Sequence, residues 1–352
     1  MRAAHRSQEE LVPELHITPL LSAVVGGARA TRIVGSLLWP ARLPVGTSGH
    51  VTRAEVALAL AALLFEDVQR RVPMARAYVE DAVRAGRRLC FDHGALRTVA
   101  TECGALPGGA AAFVRILEPL GYERAATYDL SNIKMTGYAY RHSDCPEDVP
   151  QYFVSELHPE RFSPAFQVAV EAVVGRSRDP LSARSKASLV RLRERGELPE
   201  DDASALLPEL AAAFDRQHDA PRVRDYEALL AESAEMAWIA TEGNAFNHAT
   251  DRVEDVFEVA ESQRRLGRPM KDAVEVSRNG RVLQTAFRAA EVQQLMLDDA
   301  GHLVARTVPG SFHEFITRRR MDDGRLDLSF DAGNAQAIFR MTAAGAVAPT
   351  GC

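Results

Sequence analysis

The stretch FDHGALRTV, residues 91–99, opens the β-rich part of the chain and carries polar side chains on a strand-like run. Side chains on a strand alternate between its two faces, so His93 and Arg97 share a face, about 13 Å apart at about 3.3 Å per residue. Two further stretches place a polar side chain beside a strand-like apolar run: GNAFNHAT at residues 243–250 and SFHEF at residues 311–315. We therefore expect the three segments to meet at one site.

Together these segments supply two histidines and one carboxylate, which is the donor set of a mononuclear Fe(II) site. The candidate ligands are His93, His248 and Glu314. His313 and Glu314 are adjacent, so on a strand they point to opposite faces and only one of them can enter the site. The alternation alone does not choose between them, and a third histidine would suit zinc as readily as iron.

Two interpretations are open for Arg97 and for His248. The planar guanidinium of Arg97 could bind the distal end of a short dicarboxylate whose other end lies at the metal, or it could pair with a structural Asp or Glu. If His248 binds a metal, Asn244 or Asn247 could hydrogen-bond its ring and fix the tautomer. Alternatively, Asn247 or Thr250 caps a following helix and the histidine beside it is incidental.

Composition argues against several classes of function. The 352 residues include 46% hydrophobic side chains and carry a formal net charge of −6, so no basic excess attracts nucleic acid or an anionic membrane. Four cysteines without C-x-x-C spacing argue against a zinc knuckle or a disulfide framework and favour a reducing compartment. No signal peptide or membrane-spanning stretch is evident, so we expect a soluble, cytoplasmic protein. The motifs of zincins, α/β-hydrolases, P-loop NTPases and dinucleotide-binding enzymes are absent.

The order of predicted elements occurs twice in outline. A capping box at Thr52 and Glu55 starts an alanine- and leucine-rich helix. A strand, a helix and several strands then follow, as in a βαβββ module, at residues 89–99, 110–120, 124–139 and 149–157. Later, residues 247–264 resemble a helix with His248 in its first turn, and strand-like segments follow at residues 273–276, 282–287, 302–307, 312–317 and 326–330. The run RRR at residues 318–320 precedes two aspartates, which is typical of a solvated strand end.

These elements predict one catalytic domain over residues 1–352 with an α+β fold. Its parts are a mainly helical N-terminal segment at 1–88, a first β-rich module at 89–176, a charged helical insertion at 177–235 and a second β-rich module at 236–345.

Five segments, in order over residues 60–340, resemble the DUF1338 family. They are FDHGALRT (91–98), YDL with KMTG (128–137), SELHPERF (155–162), GNAFNHAT (243–250) and PGSFHEF (309–315). Gly94 departs from the family pattern, in which an aliphatic residue is commoner. The resemblance implies a fold related to the vicinal-oxygen-chelate enzymes: a half-open β-barrel of two βαβββ-type modules, with N-terminal helices and a helical insertion.

The resemblance also implies the site. The family's metal ligands fall on His93, His248 and Glu314, which favours Glu314 over His313, and its substrate-carboxylate arginine falls on Arg97. The implied cofactor is Fe(II), and the implied partners are a small 2-oxo acid and O₂.

The activity implied is that of an Fe(II)-dependent dioxygenase/decarboxylase. It would convert a 2-oxo dicarboxylic acid, above all 2-oxoadipate, with O₂ to 2-hydroxyglutarate and CO₂. Two alternatives remain open at this point: a lyase or isomerase of the same superfamily that uses Zn²⁺, Ni²⁺ or Mn²⁺ without oxygen, and a non-catalytic protein that uses the barrel to hold a ligand.

Overall fold

The computed structural model describes residues 17–41, 43, 44 and 46–331, which form eleven α-helices and twelve strands. The helices are α1 (Ile17–Val25), α2 (Gly27–Ser36), α3 (Arg53–Arg71), α4 (Pro73–Arg84), α5 (Ala111–Leu117), α6 (Pro164–Val174), α7 (Ala183–Arg195), α8 (Glu200–Ala212), α9 (Val223–Glu232), α10 (Ala234–Glu242) and α11 (Val256–Arg265). The strands are β1 (His50–Thr52), β2 (Phe91–Val99), β3 (Tyr122–Leu130), β4 (Met135–His142), β5 (Gln151–Leu157), β6 (Glu197–Pro199), β7 (Phe246–Arg252), β8 (Glu275–Val276), β9 (Val282–Ala286), β10 (Glu291–Leu297), β11 (Leu303–Pro309) and β12 (Phe312–Arg318).

Eight strands form one curled sheet in the order β3-β4-β5-β2-β7-β12-β9-β8. The two halves of this sheet are built alike, because β2 runs parallel to β5 in the first and β7 runs parallel to β12 in the second. One helix follows the first strand of each half, α5 after β2 and α11 after β7. The halves meet where β2 and β7 pair antiparallel. The predicted half-open barrel of two βαβββ-type modules is confirmed, with the hairpin β10–β11 inserted in the second module and α7, α8 and α9 in the predicted insertion.

Helices cover the outer face of the sheet and leave its concave face for the site. β2 is buried at all nine positions because it lies between β5 and β7 and beneath this helical layer. α3 begins at the predicted capping box, in which Thr52 and Glu55 bond each other's backbone N–H groups. From α3, Phe65 meets Phe91 of β2 with the ring centroids 4.9 Å apart, which fixes the outer face of the strand.

The segment around His248 differs from the prediction. His248 lies in strand β7, and the helix begins only at Val256, with Asp255 as its N-cap. The prediction was wrong because β7 reads FNHATDR, with no alternation of apolar and polar residues to mark a strand. Six of its seven residues are nevertheless buried, since the polar side chains find partners inside the protein, such as Tyr78 for Asp251.

Two further segments of the second module also differ. Residues 326–330 form no strand and make only an isolated bridge, between Arg320 and Leu326. Strand β10 was not predicted, and it pairs with β11 in a hairpin outside the main sheet. Residues alternate between exposed and half-buried along most of β10, so the strand lacks the apolar run that reveals a buried strand.

Gly94 is explained by the ring of Phe246, which fills the space where its side chain would lie. A Cβ built on Gly94 would overlap this ring, whereas nothing lies within 4 Å of a Cβ built on Gly35 in α2. We expect Gly94→Ala to lower the free energy of unfolding by about 1–3 kcal/mol, through overpacking. Urea denaturation measures the change, with Gly35→Ala as the control. Adding Phe246→Leu should restore part of the loss, and equal stability of Gly94→Ala and the parent would refute this explanation.

Among the described residues, none of the helices has both the length and the apolar character that crossing a bilayer requires. The predicted N-terminal segment and second module extend beyond the described residues, into 1–16 and 332–345 respectively.

Candidate metal centre

Three neighbouring strands bring the predicted ligands together. His93 lies on β2, His248 on β7 and Glu314 on β12, and one atom from each lies within 4.8 Å of the others. The strand registers explain this convergence, because Thr250 of β7 pairs with both His93 and Glu314. All three side chains are buried, with exposed fractions of 2%, 4% and 1%.

Irregular strand pairing turns both histidines into the barrel. The pairing of β2 with β7 is irregular at two places. On β2 an extra residue lies between Phe91 and His93, and on β7 an extra residue lies between Phe246 and His248. Phe91 and Phe246 contact each other on the outer face, with ring centroids 6.4 Å apart, although each stands two residues before an inward-facing histidine. A β-bulge reverses the alternation in this way and is common beside active sites.

The geometry of these side chains fits a single metal ion. The Oε2 of Glu314 lies 3.1 Å from the Nε2 of His248 and 3.7 Å from the Nε2 of His93. Adjacent ligands of an octahedral ion with bonds of about 2.1 Å stand about 3 Å apart, so small adjustments would complete the coordination. Two imidazoles and one carboxylate on one face leave the other positions for ligands that are not protein.

Burial and charge act together on the ligand side chains. Burial opposes ionisation of Glu314, but the imidazoles of His248 and His93 outweigh it, and the pKa of Glu314 lies below its ordinary value. Burial lowers the pKa of His248, against the opposing charge of Glu314. Both shifts favour the forms that bind a metal, a carboxylate and a neutral imidazole.

The hydroxyl of Thr250 lies among the three candidate ligands. It donates a hydrogen bond to Oε2 of Glu314 over 3.0 Å and lies 3.2 Å from Nε2 of His93. Thr250 therefore does not cap a helix, which was the role that the sequence suggested for it, and Asp255 is the N-cap instead. This hydrogen bond fixes the orientation of the Glu314 carboxylate toward the two histidines.

Asp92 contacts the ring of His93 at Nδ1, the nitrogen that faces away from Glu314. Its Oδ1 lies 2.8 Å from Nδ1 of His93, so it can accept that N–H and leave Nε2 free for a metal. The Nε and Nη2 groups of Arg318 both donate hydrogen bonds to the same carboxylate, and Nε of Arg252 lies 3.2 Å from it. Burial alone would raise the pKa of Asp92, but Arg318, His93 and Arg252 hold it well below its ordinary value.

The position of Arg318 differs from another prediction. The RRR run at 318–320 was interpreted as solvated, yet the Arg318 side chain has an exposed fraction of 0%. Arg318 lies four residues after Glu314 on β12 and therefore on the same face, where its guanidinium also donates to the carbonyl oxygens of Asp327 and Ser329.

Asn247 contacts Nδ1 of His248, as Asp92 contacts Nδ1 of His93. The Nδ2 atom of its buried side-chain amide lies 3.1 Å from Nδ1 of His248. Metal binding through Nε2 leaves the proton on Nδ1, and a half-turn of the amide would bring Oδ1 of Asn247 to that proton as its acceptor. As placed, Oδ1 has no hydrogen-bond partner among the described residues.

His313 lies on the opposite face of β12 from Glu314. Its ring stands among Phe65, Tyr78 and Phe287, with centroid distances of 6.0, 5.4 and 6.2 Å. Burial lowers the pKa of His313 to about 3, so it is neutral at ordinary pH. Strand alternation left open whether His313 or Glu314 faces the site. His313 points toward the helices on the outer face, so Glu314 is the residue that faces the site.

Arg97 is fully buried on the inner face of β2. Its guanidinium carbon lies 5.1 Å from the centre of the Trp238 ring. Burial lowers the pKa of Arg97 to about 10 against the charge of Glu235, so it remains a cation at neutral pH. A buried cation on this face is a suitable binding group for a carboxylate.

Aromatic rings enclose the candidate ligands. Phe312 stacks on His248 at a centroid distance of 4.8 Å, and Phe330 meets His93 edge-on at 4.8 Å. Phe153 and Tyr128 continue this apolar lining next to Phe330. Such a lining restricts water near the ligands and strengthens electrostatic interactions there.

Sequence reasoning did not identify Asp92 and Arg318 as parts of the site. Asp92 directly precedes His93, a position from which its carboxylate can reach Nδ1, and Arg318 follows Glu314 at strand spacing, so both signals were present. His158, another histidine of the quoted segments, contacts Thr136 and Glu160 after β5 and is not in the cluster.

Comparisons with solved structures agree with this fold. A glyoxalase superfamily protein from Ralstonia eutropha JMP134 is 54% identical, with a TM-score of 0.88, over 90% of this chain and 99% of that one. The hydroxyglutarate synthase of Oryza sativa, solved with 2-oxoadipate, is 19% identical over 87% of this chain and 97% of its own, with a TM-score of 0.65. The hydroxyglutarate synthase of Pseudomonas putida, also solved with 2-oxoadipate, is 18% identical over 84% of this chain and 74% of its own, with a TM-score of 0.60.

A search among curated proteins found no match. The model of the 2-oxoadipate dioxygenase/decarboxylase family matches residues 53–338, which include all three candidate ligands and Arg97. That match covers most of the sequence, and the chain belongs to the 2-oxoadipate dioxygenase/decarboxylase family.

Proposed function

We propose that this protein is an Fe(II)-dependent dioxygenase/decarboxylase that converts 2-oxoadipate and O₂ to 2-hydroxyglutarate and CO₂. The observation that carries the proposal is the convergence of His93, His248 and Glu314 on one buried point. Family membership supports the reaction class, and the two-histidine, one-carboxylate donor set supports iron. The reaction balances without a further reductant, because one substrate loses CO₂ and its remainder takes up the oxygen.

The two Nε2 atoms of His93 and His248 and the carboxylate of Glu314 would hold the iron. Bound there, Fe(II) supplies the redox chemistry that lets O₂ react with a 2-oxo acid. The carboxylate of Asp92 would keep the proton of His93 on Nδ1, and the amide oxygen of Asn247, after a half-turn of the amide, would do the same for His248, so that both Nε2 lone pairs are free for the metal.

Arg97 would bind the distal carboxylate of the substrate. Its backbone lies about 13 Å along β2 from that of His93. Because the arginine side chain can extend back toward His93, the distance from its guanidinium to the metal site suits a six-carbon dicarboxylate. A planar guanidinium can form two parallel hydrogen bonds with that carboxylate and so aim the chain. Phe312 and Phe330 would exclude water from the opposite end, beside the ligands.

We also propose that residues 1–352 act as a single catalytic domain, because the two β-rich modules supply ligands to one site. A reducing, cytoplasmic location is supported by the free thiols of Cys90, Cys103 and Cys145.

Oxygen uptake tests the proposal. Protein stripped of metal and reloaded anaerobically with Fe(II) should consume O₂ when 2-oxoadipate is added, and should release CO₂ and 2-hydroxyglutarate in equal amounts. The same protein loaded with Zn²⁺, Ni²⁺ or Mn²⁺ is the control for an oxygen-independent lyase or isomerase. Turnover of a substrate by those forms without O₂, or no uptake with any 2-oxo acid, would contradict the proposal.

A further inference from the structure

One buried glutamine beside the ligands has no partner for its amide. Gln151 is the first residue of β5, has an exposed fraction of 2%, and neither its Oε1 nor its Nε2 forms a hydrogen bond within the described residues. Native proteins seldom bury an amide in this state, because it loses its bonds to water without replacement. The group therefore calls for a partner that is not part of the described chain.

The strand register places Gln151 at the level of the metal ligands. β2 and β5 are parallel, and Gln151 pairs with His93, about 5 Å away across the sheet. Paired residues of neighbouring strands share a face, so the Gln151 side chain points to the side on which His93 lies. The next residue on this face of β5, Phe153, lines the barrel and contacts Phe330 at a centroid distance of 5.0 Å.

Gln151 and Arg97 lie at different distances along the barrel. Arg97 pairs with Ser155, four residues further along β5 than Gln151. This spacing corresponds to about 13 Å of strand. A linear substrate with one end at Arg97 therefore has its other end, beside the ligands, within the reach of Gln151. The two side chains would contact opposite ends of one molecule.

We propose that Gln151 binds the 2-oxo acid head of the substrate, donating a hydrogen bond from its Nε2 to the C1 carboxylate. The proposal rests on the proposed function, which places that head beside His93, His248 and Glu314. An amide is suited to this role because it adds a directed donor without adding charge next to the metal. Gln151 is thus a positioning residue for the reacting end of the substrate, whereas Arg97 selects for a distal carboxylate.

The test compares two substrates in the Fe(II)-loaded protein. 2-Oxoadipate has both the head and the distal carboxylate, whereas 2-oxohexanoate has the same head and chain length without the second carboxylate. Gln151→Met preserves the shape of the side chain and removes the amide. We expect it to raise KM for both substrates by the same factor, about tenfold or more, and to leave the affinity for Fe(II) within about twofold.

Thermal unfolding separates this role from a structural one. Because the amide of Gln151 has no bond to lose, Gln151→Met should leave Tm unchanged or raise it. Gln217 is the matched control, a buried glutamine whose Nε2 donates to the carbonyl oxygens of Ala212 and Asp215. Gln217→Met should lower Tm and leave both KM values unchanged, the opposite pattern.

Three outcomes would overturn the proposal: unchanged KM values in Gln151→Met, a rise confined to 2-oxoadipate, or a fall in Tm like that of Gln217→Met. If the variant does not accumulate in folded form, Gln151→Asn, which keeps the amide but shortens its reach, takes its place under the same criteria. Failure of the unaltered protein to use any 2-oxo acid would instead refute the proposed function, so the two failures are distinguishable.

Discussion

Alanine in place of His93, His248 or Glu314 is expected to abolish oxygen uptake with 2-oxoadipate. Each substitution removes one of only three protein ligands, and the buried site offers no other side chain within the same 4.8 Å cluster of described residues. Loss of an outer partner of a ligand commonly costs about 10–100-fold in metal affinity, so loss of a ligand itself should cost more than about 100-fold. Iron content after anaerobic loading and gel filtration measures this loss directly.

His158→Ala is the control for these three variants. His158 belongs to the segment SELHPERF (155–162), but its ring contacts Thr136 and Glu160 and does not join the cluster. This variant should keep its iron and its turnover. If any one of the three alanine variants retained full activity, the residue concerned would have to be removed from the set of ligands.

Arg97→Ala is expected to have the second-largest effect, and to act on the substrate alone. Without the guanidinium, the distal carboxylate of 2-oxoadipate loses a bidentate partner in a buried place, and KM should rise by about 100-fold or more. Bound iron should not change, because Arg97 donates no ligand. With 2-oxohexanoate, which has no distal carboxylate, the variant and the parent should differ little.

Arg97→Lys is the matched variant, because it keeps a positive charge and loses the planar fork. It should fall between Arg97→Ala and the parent for 2-oxoadipate. Oxygen uptake at a series of substrate concentrations gives KM and kcat for each protein, and circular dichroism shows whether removing so buried a side chain disturbs folding. Equal losses of iron and of substrate affinity in Arg97→Ala would remove Arg97 from the substrate role.

Much of the fold could be predicted from the chain, because its strongest signals are local. The capping box at Thr52, the strand-like run of β2 and the strand–helix–strands order all left clear patterns in the sequence. β7 could not be found in this way. Its polar residues are buried by long-range partners, such as Tyr78 for Asp251, and no local pattern records such a contact.

The sequence predicted the three side chains that converge, but not the side chains that hold them in place. Residue types and the family resemblance pointed to His93, His248 and Glu314, whereas the orientation of His313 depends on helices far away in the sequence. The two β-bulges that turn the histidines inward break the alternation on which the strand analysis relied. Arg318 was misread for a related reason, since a charged run is usually solvated and its buried partner, Asp92, lies 226 residues away.

Gly94 illustrates how a departure from a family pattern can be explained by structure. The sequence shows only that a side chain is missing on β2, whereas the structure shows the ring of Phe246 in the vacated space. Gly94 and Phe246 lie on neighbouring strands. That the large ring compensates for the missing side chain can therefore be recognised only when the β2–β7 register is known.

Anomalous X-ray scattering at the iron absorption edge, on crystals of the protein loaded anaerobically with Fe(II), tests the central claim most directly. The account predicts one strong peak per chain, at about 2.1 Å from the Nε2 atoms of His93 and His248 and from the carboxylate of Glu314. A peak coordinated by other residues, or crystals that take up no iron at these three side chains, would contradict it.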